Sequence, residues 1–400
     1  MTGKSDRASL LSPAFLRVTL ANFCFFLTFA SFFLLPLQVR ELGGSERTVG
    51  FVMGTNGIAG LVSVFALGAV LDRWGRLRFL RLGLAVMLLA TLGYLFVDRI
   101  GPLLFALRIV QGVAFAAGFN AASTLAAELA PVDRRAQALG IFGVSTLGTH
   151  ALAPTIGEQL IRVGGFHLLF VVAAVYSAIG LVLTLGIPAV DPHRNTRPAP
   201  VPLPSGFLAT TAVVALAGIA FGTVITFMPT FVHHDAGFGS VSVFFLTYTA
   251  AAIGTRFVGA GLGDRIGHRR VIIPALAALG CSIAAIATVH SVSALALVAV
   301  FFGVAQGIVY PTLNAFAIEH VPAGQLGRVQ TFFNGSFNLG VTAGSFALGG
   351  VADAFGHRAA FVCAGVTALV ATAIFAATTG DARSAAMQRS SLDTDASASG

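Results

Sequence analysis

Polar and aromatic side chains interrupt the long apolar stretches of this sequence and are its candidates for binding chemistry. They are Asn22, Asn56, Arg108, Gln111, Phe115, Gln306, Tyr310, Asn314, Asn334 and Asn338. Arg108 and Gln111 are three positions apart and Gln306 and Tyr310 four apart, so each pair shares one helix face. Such faces predict a central cavity that binds a small organic molecule. Alternatively, the amides only bond neighbouring helices together, at about 0.6 kcal/mol each.

Two titratable side chains within apolar stretches are candidates for proton coupling. Glu158 is the one acid clearly inside such a stretch, and His150 precedes it by about two helical turns. A histidine changes its charge near neutral pH, which suits proton exchange. The alternative for Glu158 is a structural ion pair with Arg162, one turn further on.

Other kinds of chemistry find little support in the sequence. Metal-ligand spacings, phosphate-binding loops and nucleophile–base motifs are not present, and the three cysteines all lie in apolar runs. We therefore predict a protein that is not an enzyme and that has no cofactor and no metal site.

The elements that must position these residues are membrane helices. Hydrophobic residues make up 56% of the 400-residue chain and charged residues only 10%, against about a quarter in soluble proteins. A bilayer core of about 30 Å needs about 20 apolar helical residues to cross it. Twelve runs meet this requirement: 14–37, 47–71, 79–97, 101–130, 136–162, 166–189, 206–232, 240–263, 271–289, 292–320, 328–351 and 359–379. The predicted fold class is an all-α integral membrane protein with twelve transmembrane helices.

The arginines predict which side of the membrane each loop occupies. Cytoplasmic loops carry an excess of Lys and Arg. With the N-terminus inside, the inner segments hold 16 of the 24 cations and the outer loops five, while Arg17, Arg108 and Arg256 fall within predicted spans. Both termini are therefore expected in the cytoplasm. The net charge of +8 follows from this topology and does not predict nucleic-acid binding.

An internal repeat divides the chain into two halves of six helices. The segment 72–78 aligns with 264–270, and 128–131 aligns with 319–322, at offsets of 192 and 191 residues. The longest loop without an apolar run lies between the two copies. We predict an N-terminal half at 1–189, a cytoplasmic linker at 190–205, a C-terminal half at 206–379 and a disordered cytoplasmic tail at 380–400.

The repeated loop carries a resemblance to a known family. Residues 68–78, with Gly68, Asp72, Arg73, Gly75 and Arg76, closely resemble the signature between helices 2 and 3 of the major facilitator superfamily. Residues 108–112 are similar to that superfamily's signature on helix 4. The resemblance implies two pseudo-symmetric halves around one cavity, in a protein of the bacterial inner (plasma) membrane.

The resemblance also implies a gate on the cytoplasmic side, where such loops hold the two halves together. The residues to which it assigns this role are Asp72, Arg73, Gly75, Arg76, Glu128, Asp264, Arg265 and Gly267. Gly75 suits the tight turn that ends the second helix, since glycine tolerates a positive φ. Because His268 stands where the first copy has Arg76, the second loop is expected to hold less firmly. The alternative is that these arginines serve topology alone.

The fifth helix carries a weaker resemblance that bears on the direction of transport. Residues 148–158 resemble the helix 5 motif of the superfamily's exporters, but Ala153 and Glu158 replace two of its glycines. We therefore expect a secondary transporter that carries out proton-coupled efflux of a small organic molecule. The alternatives are uptake symport, uniport or a non-transporting receptor on the same scaffold. The expected partners are the substrate, protons and membrane lipids, with the protein a monomer.

Overall fold

The computed structural model describes residues 12–131, 134–187, 207–259, 261–319, 321 and 326–398. Inside its helices, the side chains of 65, 67–74, 136, 258, 264, 326–327 and 380–398 are not described. The predicted linker 190–205 lies outside the described residues.

The described chain forms twelve helical passes. Eight helices are long and apolar enough to cross a membrane, and two of these, of 49 and 52 residues, each contain a break. The passes are α1 (Pro13–Glu41), α2 (Glu46–Trp74), α3 (Arg76–Phe96), α4 (Pro102–Leu129), α5 (135–163), α6 (166–185), α7 (Phe207–Asp235), α8 (Ser242–Val258), α9 (His268–Thr288), α10 (Val292–Ile318), α11 (326–355) and α12 (357–398). This is the twelve-helix fold that the apolar runs predict.

Two pairs of consecutive helices, α5–α6 and α11–α12, are separated by only one or two glycines. Gly165 has a φ of +67° between α5 and α6, and Gly356 has a φ of +83° between α11 and α12. A side chain is strained at such a φ, so glycine allows the chain to reverse there. Each of the two longest helical stretches therefore crosses the membrane twice.

The structure differs from the predicted runs in two places. The run 240–263 breaks after Val258 and continues as a short helical turn, Leu262–Ile266, after Gly261 with a φ of +75°. The segment 380–400, expected to be disordered, has a helical backbone as far as Ala398. The alanines of this segment, Met387 and Gln388 have a high helix propensity. They favour a helix, whereas the many serines of the segment favour it less.

The two halves meet at the end of the bundle that lies away from the chain ends, which we call the distal face; the opposite end is the proximal face. Here α2 packs against α11, α5 against α8, and the end of α1 against α7. The α2–α11 contact is made by small residues: a Cβ added at Gly50 or Gly57 would overlap Ser345 or Thr342. Two helices can approach this closely only where side chains are small.

The same helices are further apart toward the proximal face. At Gly335 of α11 the nearest α2 atom to an added Cβ is 3.7 Å away, in Leu61. On α5 and α8, a Cβ at Gly140, Gly148 or Gly254 would meet nothing within 4 Å. Among the described residues, the hydrogen bonds and ring contacts between the halves lie in the middle or distal part of the bundle. Within the described part of the chain, the halves are therefore packed closely at the distal face and less closely toward the proximal face.

Candidate functional site

Arg108 is held inside the N-terminal half by groups of α2 and α4. Only 3% of its surface is exposed. Its Nε donates to the Val52 carbonyl at 3.1 Å, one Nη to the Gln111 side-chain oxygen at 3.1 Å, and the other to the Met53 carbonyl at 3.4 Å. Tyr94 of α3 donates to the same Gln111 oxygen at 2.9 Å. In this conformation the guanidinium of Arg108 is bound by the protein, whereas the side-chain nitrogen of Gln111 has no hydrogen-bond partner among the described residues.

The other predicted cavity residues of this half also make contacts between helices. Asn22 on α1 donates to Thr146 on α5 at 2.9 Å, and Asn56 on α2 donates to the Arg108 carbonyl at 3.3 Å. The Phe115 ring lies 4.3 Å from that of Phe29, within a cluster of phenylalanines from α1 and α4. These contacts match the alternative in which amides join helices, and a binding role for the residues stays a prediction.

The predicted residues of the C-terminal half are more open. Tyr310 on α10 donates to Asn334 on α11 at 2.8 Å, and Asn338 donates to the Asn334 backbone carbonyl at 3.0 Å. Gln306 and Asn314 are half-buried, and their side chains make no hydrogen bond to any described residue. Free amides beside a bonded tyrosine leave donors and acceptors for a ligand.

A polar contact joins the two halves near the middle of the bundle. His150 of α5 and Tyr248 of α8 share a hydrogen bond of 2.6 Å. Phe33 of α1 lies edge-on to the His150 ring at 5.1 Å and stacks with Phe245 of α8 at 5.9 Å. The imidazole therefore sits at a contact that must break if the halves separate distally.

Arg256 of α8 lies in the opening between the halves, although the sequence marks it only as an arginine within a span. It approaches α5 at Gly143, where an added Cβ would lie 3.6 Å from its Nη1. The phenols of Tyr248 and Tyr310 and the imidazole of His150 are close enough to interact with it electrostatically. Its spacing within α8 pairs it with no amide, so no signal in the sequence singles it out.

Glu158, at the distal end of α5, is bound by the segment that begins α8. Its carboxylate accepts hydrogen bonds from the backbone of Val241 at 2.7 Å, the Ser240 hydroxyl at 2.6 Å and the Ser242 hydroxyl, and it lies 2.9 Å from Nε2 of His233. We call these residues the Glu158 cluster. No ion pair with Arg162 occurs among the described side chains, so the partner expected in the structural alternative was wrong. The actual partners could not be found from spacing, because they come from the other half.

A second cluster at the distal face was not predicted from the sequence. Glu46, in the first turn of α2 and only 5% exposed, lies 3.2 Å from Nε2 of His357 on α12 and accepts from Thr230 of α7 at 3.1 Å. Nδ1 of His357 lies 2.7 Å from Asp235. Arg40, at the end of α1, approaches Glu46 to 3.3 Å. We call these residues the Glu46 cluster, which joins the halves as the Glu158 cluster does.

At the proximal face the predicted gate residues pair within each half. Arg76 forms an ion pair with Glu128, and His268 lies 3.1 Å from Glu319 at the equivalent place in the second half. Gly75 and Gly267 have φ values of +86° and +91°, so the repeated loops turn alike. Arg265 is exposed, and the side chains of Asp72, Arg73 and Asp264 lie outside the described part of the chain. In this conformation the described gate pairs do not cross between the halves.

Together these contacts define one arrangement. The Glu46 and Glu158 clusters close the distal face, His150 and Tyr248 meet below them, and Arg256, Tyr310 and Asn334 lie where the halves begin to part. The contacts within the two clusters and between His150 and Tyr248 are hydrogen bonds or ion pairs that water could replace. Such a site can bind a small molecule from the proximal side, and no described group in it is positioned to do covalent chemistry.

Comparison with known proteins identifies the family. The sequence model of the Major Facilitator Superfamily matches residues 18–261 and 210–394, and the chain belongs to this superfamily. It is 23% identical over 358 residues to the staphylopine export protein of Staphylococcus aureus, covering 84% of this chain and 88% of that protein. It is 26% identical over 367 residues to the multi-drug resistance efflux pump PmrA of Streptococcus pneumoniae, covering 84% and 89%.

Solved structures agree on the fold. A bacterial homologue of the human lysosomal transporter Spinster superposes with a TM-score of 0.77 at 15% identity, over 91% of this chain and 96% of that one. The protein is thus a multi-pass membrane transporter of the secondary type, which binds a small-molecule substrate and is not an enzyme. The family predicted from residues 68–78 and 108–112 is confirmed.

Proposed function

We propose that the protein exports a small organic molecule across the bacterial inner membrane by alternating access, in exchange for protons. It works as a monomer surrounded by lipid, with both termini in the cytoplasm. The proximal face is then the cytoplasmic side, and the structure corresponds to the state that loads substrate from inside. No nucleic acid, metal or cofactor takes part.

The observation that carries this proposal is the uneven contact between the halves. The distal contacts between α2 and α11 and between α5 and α8 are close and polar, whereas the described proximal parts of these helices are apart. A rocking motion that breaks the two distal clusters and brings the proximal ends together would move a bound molecule from one side to the other.

Export rather than import is supported by the names of the relatives and by the arginines. An export protein and an efflux pump are both similar to this chain over most of its length. The excess of arginines at the proximal face supports a cytoplasmic opening there. Uptake symport and uniport use the same fold and remain outcomes of the experiment.

Proton exchange is supported by the titratable groups that join the halves. His150 can hold its bond to Tyr248 only while the distal side is closed, and Glu158 can hold its hydroxyl and backbone donors only in the same state. Opening exposes both to water, so their affinity for protons must differ between the two states. A difference of this kind is what couples a proton gradient to conformation.

Proton flux in inside-out vesicles tests the proposal. Vesicles containing the protein are acidified and challenged with dyes, antibiotics, sugars and organic acids, with empty-membrane vesicles as the control. We expect one class of compound to dissipate the pH gradient and to accumulate inside. Entry that only equalises the concentrations, without proton movement, would indicate uniport, and entry that acidifies the vesicles further would indicate symport. Binding with no entry would exclude transport.

A further inference from the structure

Three arginines lie within the spans predicted from the sequence, and two of them are satisfied by the protein itself. Arg17 of α1 donates to the carbonyl of Gly186, and Arg108 donates to the carbonyls of Val52 and Met53. A guanidinium in the membrane costs about 2.5–3.5 kcal/mol on insertion scales, and carbonyl acceptors offset part of this cost. Both residues are therefore stabilised by backbone groups of their own half.

Arg256, the third, lacks such contacts. Its Nε is buried without a hydrogen-bond partner, and neither Nη bonds any described residue. Arg40 and Arg269 also have a buried Nε that makes no hydrogen bond, but the Nε of Arg40 lies 3.3 Å from Glu46, and each arginine donates through an Nη to a backbone carbonyl. Arg256 therefore lies inside a span, and none of the N–H groups of its guanidinium donates a hydrogen bond to a described residue.

Among the described side chains, no carboxylate interacts with Arg256. Of the neighbours that interact with it electrostatically, Tyr248 and Tyr310 are phenols and His150 is an imidazole. The described carboxylates of Glu46 and Glu158 belong to the distal clusters, and Arg256 lies about 20 Å further along α8 than Ser242. A buried cation without a partner ion is costly, so a site of this kind is retained where a ligand supplies the anion.

Arg256 faces the space between the two halves, where a ligand can reach its guanidinium. Its guanidinium points toward Gly143 of α5, which has no side chain to fill the space between the halves. Tyr310, on the α10 side, already donates its hydroxyl proton to Asn334 and so offers only acceptor capacity and its ring. A planar guanidinium with five N–H donors matches a carboxylate in a two-point contact.

We infer that Arg256 is the anion-binding residue of the substrate site, and that the transported molecule is a small organic anion, such as a carboxylic acid with an aromatic or apolar body. The acidic group binds the guanidinium, and the body lies beside the half-buried Tyr310, in the opening between the halves. This inference rests on the proposed function, since it names the substrate class of that same site.

The test compares matched acids and amides on purified protein in nanodiscs. The probes are benzoate and benzamide, indole-acetate and indole-acetamide, and N-acetylphenylalanine and its amide. Affinity is measured by the concentration dependence of thermal stabilisation. We expect at least one acid to bind about 10- to 100-fold more tightly than its amide, as a charge-assisted contact predicts. We expect Arg256→Gln to remove this difference and Arg256→Lys to keep part of it.

Arg270→Gln is the matched control, because it removes one exposed positive charge from the same half without a contact in the opening. It should leave the preference for acids unchanged. A preference that survives in Arg256→Gln would overturn the inference, and so would equal binding of acids and amides by the unaltered protein. If Arg256→Gln fails to fold, Arg256→Lys still tests whether the two-point contact matters.

Two further measurements distinguish a substrate anion from a lipid headgroup and from a substrate of another charge. Stabilisation by phosphatidylglycerol over phosphatidylcholine nanodiscs, lost in Arg256→Gln and without any response to the acids, would assign Arg256 to a lipid headgroup and overturn the inference. Proton flux driven only by neutral or cationic compounds would also overturn it, while leaving proton-coupled transport intact. Absence of transport for every compound, with acids still bound through Arg256, would instead contradict the proposed function.

Discussion

Glu158 completes a helix that belongs to the other half of the molecule. Val241 precedes α8 and has no side-chain oxygen, so it cannot cap the free N–H groups there. Glu158 supplies the acceptor, and the partial positive charge at a helix N-terminus favours its negative charge. Distal opening must therefore remove the cap from α8, which adds to the free energy of that step.

Replacing Glu158 by glutamine should favour the state that is open at the distal face. The amide has one oxygen in place of two, and its NH2 group would face N–H donors. Loss of the charged cap corresponds to about 1–2 kcal/mol, or roughly tenfold in the open-to-closed ratio. Spin labels at the exposed positions Arg162 and His234, in a background without the three native cysteines, would report a longer distance. An unchanged distance distribution would contradict the capping role.

Arg108→Lys tests whether Arg108 is structural. An ammonium group cannot reach Val52, Met53 and Gln111 at once, because it lacks the planar fork of a guanidinium. We expect a loss of about 1–3 kcal/mol in stability against thermal unfolding, with substrate affinity unchanged. The exposed Arg270→Lys provides the comparison. Reduced affinity at normal stability would return Arg108 to the binding site that its spacing predicted.

At the scale of elements, the α2–α11 contact depends on glycines placed at the distal ends of both helices. At Gly50 an added Cβ would overlap the Ser345 backbone carbonyl, and a backbone atom cannot rotate away as a side chain can. On α11 itself, Gly350 has nothing within 4 Å of an added Cβ. Two neighbouring glycines thus differ in whether they tolerate a methyl group.

Gly50→Ala should prevent full distal closure and impair transport, whereas Gly350→Ala should preserve both. The helices can adjust only by moving apart, which also weakens the contact of Glu46 with His357 above them. Transport in vesicles, together with the amount of protein in the membrane, measures the effect. Normal transport by Gly50→Ala would mean that closure does not need the observed approach.

The sequence predicted elements far better than contacts between them. Apolar length alone locates twelve helices, because a helix that crosses lipid must satisfy its backbone internally. The turns at Gly75 and Gly267 were also predictable, since a repeated glycine marks a positive φ. The distal clusters were not, because Glu46, Thr230 and His357 are brought together only by the packing of the two halves. Spacing singles out Arg108, which shares a helix face with Gln111, but only the structure shows that the protein binds its guanidinium and leaves the donors of Arg256 unused.

At the scale of the molecule, we expect the proximal loops to act in the state opposite to this one. Arg76 and Glu128 pair within the N-terminal half here, and we expect contacts across the halves to form when the proximal ends approach. We expect Asp72→Asn to reduce transport severalfold while leaving membrane insertion intact. Asp353→Asn, an exposed change at the distal end of α11, is the control. Equal transport by both variants would mean that the charges of the proximal loops only determine the orientation of the protein in the membrane.

The two distal clusters are asymmetric, because the two halves contribute different groups to them, and this asymmetry affects how the halves assemble. Both Glu46 and Glu158 belong to the N-terminal half, while His233, His357 and the hydroxyls that face them belong to the C-terminal half. Two N-terminal halves would bring Glu46 and Glu158 together, and two C-terminal halves would leave His233 without Glu158 and His357 with only Asp235 as a carboxylate partner. If the halves were produced as separate polypeptides, these surfaces would favour the mixed pair. Glu46 and Glu158, with the imidazoles that face them, thus favour the pairing of an N-terminal half with a C-terminal half.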